Sequence, residues 1–173
     1  MSLQLDGTSG VLGNSGAFIA GTAVASTSGT SITFTSIPSW VKRINVMFQT
    51  VSTNGSSLLL LRIGTVSGIE TTGYASGSSQ NTSTGGYATS TAGFVLSVAN
   101  NTSASSSFNG SLLLSSLGSN TWAENGSLYD SNYTVGNFHS GSKTLGGTLT
   151  QLSITTVNGT DTFDAGTINI LYE

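Results

Sequence analysis

The sequence predicts an all-β protein, a sandwich or a barrel, and three observations predict it. Apolar and polar residues alternate at period two in one segment after another. Asn-Gly pairs, which tolerate the positive φ of tight hairpin turns, fall at Asn54-Gly55, Asn109-Gly110, Asn125-Gly126 and Asn158-Gly159. Nowhere do apolar residues recur at helical spacing over the length of a helix. The 173 residues fit one domain, expected over 21–173, preceded by a Gly-rich, weakly patterned N-terminal arm or anchoring segment at 1–20.

Taken in order, "GTAVAST" and "GTSITFTS" read as a hairpin about Ser28-Gly29, with Ile32 and Phe34 on the buried face. Pro38, the only proline, is expected to turn a corner, with Trp40 as its anchor and Lys42-Arg43 as a solvated strand start. "RINVMFQTV" buries Ile44, Val46 and Phe48, and Asn54-Gly55 joins it to "SSLLLLRIG". That strand is apolar on both faces, which suits a central place between covering layers. The stretch from Ser67 to Gly93 has almost no aliphatic residues and reads as a long functional loop. "AGFVLSV", "LTQLSITT" and "GTINILYE" return to alternation, the last burying Ile168 and Ile170.

Composition narrows the chemistry. Charged residues make up 6% of the chain, against roughly a quarter in an ordinary domain, so hydroxyls and amides must solvate the surface. A net charge of -3 with four Lys and Arg leaves no basic footprint, and no nucleic-acid partner is expected. Cysteine is absent, which removes thiolate nucleophiles and thiolate metal sites. The opening residues lack the basic and apolar regions of a signal peptide, and the longest apolar run, Leu58 to Leu61, is far too short to cross a bilayer. Synthesis in a cytoplasm, without membrane insertion, is the expectation. The many Asn-x-Ser/Thr triplets then follow from a chain rich in those residues rather than from glycosylation.

No catalytic constellation is legible. His139 is the only histidine, so any serine-hydrolase triad must use it, and no Gly-x-Ser-x-Gly elbow is present. Glu70, Glu124 and Asp130 sit among turn-forming residues, not in the paired arrangement that glycoside cleavage needs. Asp161 and Asp164 precede the last strand without the spacing of a calcium loop, and are expected to bond their own backbone in turns. No cofactor, metal or catalytic residue is assigned.

"IPSWVKRINVMFQTVSTNGSSLLLLRIGT", "GSNTWAENGSLY" and "GSKTLGGTLTQLSITTVNGTDTFDAGTINILYE" together resemble a C-terminal module of tailed-bacteriophage virion proteins, tail fibres and related appendages in particular. "LQLDGTSGV" is similar to the beginnings of phage fibre proteins. The resemblance implies a jelly-roll-like antiparallel β-sandwich in a non-enzymatic structural protein at the virion surface. It further implies a homotrimer that takes part in host attachment and meets other virion proteins through the N-terminal segment. A capsid decoration or head-knob protein and a polysaccharide depolymerase are the alternatives. The resemblance transfers no site residues. Stacking on a host polysaccharide would suit Tyr74 and Tyr87 in the long loop and Tyr129 and Tyr133 in "SLYDSNYT".

Overall fold

The computed structural model describes residues 4–6, 10–12, 18–82 and 85–173. Within the expected arm 1–20, β1 (Gln4–Asp6) pairs antiparallel with β2 (Gly10–Leu12), and β3 (Ile19–Ala20) already lies on the main body. Phe18 is exposed just before β3, and the remaining residues of that segment lie outside those described. The chain continues through β4 (Val24–Ala25), β5 (Ser31–Phe34), β6 (Arg43–Thr53), β7 (Leu59–Thr65), β8 (Gly68–Ile69), β9 (Tyr74–Gln80) and β10 (Tyr87–Ser90). It ends with β11 (Phe94–Val95), a single 3-10 turn at Ala99–Asn101, β12 (Phe108–Gly118), β13 (Thr121–Asp130), β14 (Val135–Thr144), β15 (Gln151–Thr156) and β16 (Phe163–Tyr172).

These strands form an antiparallel β-sandwich. A nine-stranded sheet runs β10-β9-β14-β13-β12-β6-β16-β3, with β4 also on β16, and packs against a five-stranded sheet ordered β11-β7-β15-β5, with β8 on β7. The chain moves repeatedly from one sheet to the other, as at β5 to β6, β6 to β7 and β15 to β16. Between the sheets lie Ile32 and Phe34 of β5, Ile44, Val46 and Phe48 of β6, Leu59, Leu61 and Ile63 of β7, and Ile168 and Ile170 of β16. The period-two pattern places every one of these side chains inward.

β7 is central in the small sheet and buried on both faces, as its continuous leucines predict. Pro38 turns the corner from β5 to β6: the Val41 amide donates to its carbonyl at 3.1 Å, and Trp40 packs on Tyr172 with ring centroids 5.9 Å apart. Lys42 and Arg43 are exposed, and Arg43 meets Glu173 at 2.7 Å.

Asn54-Gly55 and Asn158-Gly159 form adjacent turns, and Asp161 knits them together; Asp164, expected in the same turn, lies instead within β16 and is exposed. Asp161 Oδ2 accepts the Ser57 amide at 2.9 Å, and Oδ1 accepts the Asn158 side-chain amide at 2.6 Å. Asn54 Oδ1 in turn accepts the Thr162 amide at 2.9 Å. Asp161 therefore serves the scaffold by accepting a backbone amide from one turn and a side-chain amide from the other.

Four expectations are corrected. The hairpin about Ser28-Gly29 does not form: β4 pairs with β16 in the large sheet while β5 pairs with β15 in the small one, so the chain changes sheets at this point. Asn109-Gly110 lies inside β12, where Gly110 at φ +140° sits at a register shift against β6. Asn125-Gly126 lies inside β13, and a Cβ on Gly126 would stand 2.6 Å from the Leu112 Cα on the neighbouring strand. The turn between β12 and β13 is made instead by Ser119 and Asn120, at φ 48° and 59°, the doubled positive φ of a type I′ hairpin.

The fourth correction is the loop from Ser67 to Gly93, which carries β8, β9 and β10. β9 is laddered to β14 from Tyr74 opposite Lys143 to Gln80 opposite Asn137, and β10 is laddered to β9. Backbone pairing holds these strands with hardly any aliphatic side chains, so hydropathy gave no sign of them.

Candidate functional site

The large sheet has two faces of different chemistry at its β9–β14–β13 end. Its inner face is polar here. Glu124 Oε1 lies 2.7 Å from His139 Nδ1, with both side chains fully buried. Gln80 donates to Asn137 Oδ1 at 3.0 Å, and Asn137 donates to the Leu128 carbonyl at 3.3 Å. Ser78 stands opposite His139 in the ladder, which puts a serine, a histidine and a carboxylate on adjacent strands. The Ser78 hydroxyl nevertheless makes no hydrogen bond, nor does His139 Nε2, and all three residues are buried. General-base catalysis needs both that bond and access for a substrate, and this arrangement offers neither.

The other acidic residues are similarly engaged. Glu70 pairs with Lys143 at 2.6 Å and accepts the Gly146 amide at 2.8 Å. Burial pushes its carboxyl up, but the Lys143 hydrogen bond, the Gly146 amide and the Lys143 charge together hold it below the usual carboxylate value. Asp130 Oδ1 accepts the Ser107 and Asn132 amides at 3.2 and 2.9 Å. Among the described residues, no three His, Cys, Asp or Glu side chains gather as a metal site would require.

Tyr74, expected as an exposed stacking ring, is 3% exposed and belongs to the core. Its hydroxyl accepts the Ile63 amide at 2.9 Å and shares its proton between the Ile63 and Glu70 carbonyls. Its ring meets Phe94 edge-on at 5.0 Å, and Lys143 Nζ lies 5.3 Å from its centroid. The reason is register: Tyr74 begins β9 on the same face as Ser78 and Gln80, which is the inner one.

The outer face gathers the other tyrosines differently. Tyr87 is 83% exposed and stands opposite Ser79, which stands opposite Phe138, followed by Ser127, Ser111 and Met47 along one row across the sheet. Phe138 is 50% exposed, and its ring lies over Gly136, where a Cβ would meet it at 3.4 Å. Gly136 is itself the cross-strand partner of Tyr129, which is 48% exposed. Tyr133 sits beyond this face, in the turn between β13 and β14.

A neighbouring row carries Ser140, Asn125, Leu113, Asn45 and Leu171. Two depressions share Asn45 and Leu113. One, of about 440 Å³, is bounded by Ser111, Asn125, Ser127 and Phe138, and the other, of about 290 Å³, by Phe18, Leu171, Tyr172 and the Arg43–Glu173 pair. Compared with known proteins, the chain matches no family model, no curated protein and no solved structure.

Phe138 escaped the sequence reading because β14 inverts the usual parity. In "NFH" the phenylalanine points to solvent while Asn137 and His139 point inward, each held by a buried polar partner. The available signal was its fixed alternation with Val135, two residues from Asn137 on the opposite face to Phe138.

Proposed function

We propose that the chain is a non-enzymatic structural component of a bacteriophage virion, a tail fibre or similar appendage, that contacts the host surface through the outer face of its nine-stranded sheet. The carrying observation is that face itself: exposed aromatic rings at Tyr87, Phe138 and Tyr129 stand among serine and asparagine side chains on a rigid sheet. Loops need not supply recognition when a sheet holds the contacting groups in fixed register. The resemblance of three long segments to phage appendage modules supports placing such a surface on the outside of a particle. Homotrimeric assembly and contact with other virion proteins through the N-terminal segment belong to the same reading. A chain with only 6% charged residues can meet its own copies without desolvating many ions.

The test is a density map of the whole particle combined with gold labelling by an antibody against the purified chain. Label and density at the tail are expected. Label distributed over the shell would replace this reading with a capsid decoration protein, and release of reducing sugar from host glycan by the purified chain would replace it with a depolymerase.

A further inference from the structure

The outer face of the large sheet carries an inference about its ligand that rests on its being a recognition surface. We infer that it binds a neutral, linear oligosaccharide lying across the strands, with sugar rings on Tyr87 and Phe138 and hydroxyls on Ser79, Asn125, Ser127 and Asn45.

Three observations converge on that chemistry. The first is spacing. Tyr87 and Phe138 occupy one row with a single strand between them, so their backbones are two strand spacings apart, about 9–10 Å. That separation is close to the length of a disaccharide, and exposed rings at such an interval offer apolar platforms to the apolar faces of alternate sugar units.

The second is unspent hydrogen-bonding capacity. The side chains of Ser79, Ser111, Asn125, Ser127 and Ser140 are exposed and, like half-buried Asn45, make no hydrogen bond among the described residues. Asparagine amides and serine hydroxyls both donate and accept, as a polyhydroxylated ligand requires. On the inner face of the same strands, by contrast, Asn137 and Gln80 bond to each other.

The third is charge. The charged or ionisable side chains Glu124, Asp130, His139 and Lys143 of β13 and β14 are all buried, while β9, β10 and β12 contain none of Asp, Glu, Lys, Arg or His. The cation that bounds the adjoining depression, Arg43, is paired with Glu173. An acidic glycan would therefore find no counter-charge across these strands, whereas a neutral one needs none.

The experiment is a nuclear magnetic resonance titration of the full chain with maltohexaose, cellohexaose, laminarihexaose and mannohexaose, alongside hexamers of alginate and hyaluronan. At least one neutral hexamer is expected to shift the amides of Ser79, Asn125, Ser127 and Phe138. Tyr87→Ala with Phe138→Ala should weaken that binding about tenfold or more, with amide dispersion retained, because each exposed stacking contact contributes about three- to tenfold. Tyr87→Phe, which keeps the ring, should bind like the parent. The inference is overturned if none of the neutral hexamers binds, if an acidic hexamer binds more tightly, or if the shifts fall on other residues. It is also overturned if the double substitution dissociates an oligomer, which would make this face an interface between copies. Failure here with the chain on the tail removes the ligand and leaves the attachment reading standing. Glycan binding by a chain absent from the particle would do the reverse.

Discussion

Replacing His139 with alanine is expected to destabilise the fold by about 3–5 kcal/mol, because it strands the Glu124 carboxylate in the interior. Glu124 and His139 are both fully buried at 2.7 Å, and Glu124 Oε2 already makes no hydrogen bond. The pair is thus poorly supported at its outer atoms. Breaking it should cost far more than removing it. The combination Glu124→Met with His139→Leu is expected to recover most of the loss and could exceed the parent by about 1–4 kcal/mol, since neither charge nor imidazole then has to be desolvated. Equilibrium unfolding in urea on the parent, the single variant and the double variant measures this directly. A double variant no more stable than His139→Ala would mean that the pair also organises β13 against β14, beyond the electrostatic term.

Tyr74→Ala is expected to cost about 3–5 kcal/mol, the usual range for deleting a buried aromatic side chain. Tyr74→Phe should cost about 1–3 kcal/mol, because it leaves the buried Ile63 amide without its acceptor. The phenol also sets an alkaline limit. Burial above all pushes its pKa up to about 12 from 10.0; the Ile63 amide pulls the other way and the Glu70 charge adds to the rise. The folded chain therefore holds this proton where the unfolded chain gives it up. Its contribution is complete below pH 10.0 and is lost as pH rises through about 12, roughly 2–3 kcal/mol in all. Urea midpoints across that window should fall more steeply for the parent than for Tyr74→Phe. Parallel curves would show that the phenol titrates alike in both states.

What could be read from the sequence was whatever the hydrophobic pattern records. Ile32 and Phe34, Ile44 to Phe48, and Ile168 with Ile170 declared their strands and their faces, and the unbroken leucines of 58–61 declared a central position. β9 and β10 left no such trace, since Tyr74, Ser78 and Gln80 face inward and the pairing with β14 is made by backbone groups. Asn-Gly pairs misled in the same way at Asn109 and Asn125: glycine serves tight turns, but it also serves close approach between strands, as Gly126 does against Leu112. In the candidate site, Tyr87 and Tyr129 were legible as exposed aromatics. Their common face was not, because it depends on registers set by the whole ladder β10-β9-β14-β13, and Phe138 was hidden by polar neighbours that point inward.

The most direct measurement of the central claim is competition for host attachment. Purified chain is mixed with host cells before the particle is added, and adsorption is followed for the parent protein and for Tyr87→Ala with Phe138→Ala. Both substitutions remove exposed rings, so the melting temperature should hardly change. The parent protein is expected to slow adsorption in proportion to its concentration, and the folded double variant to have lost most of that effect. Equal competition by parent and variant, or none by a folded parent, would contradict it.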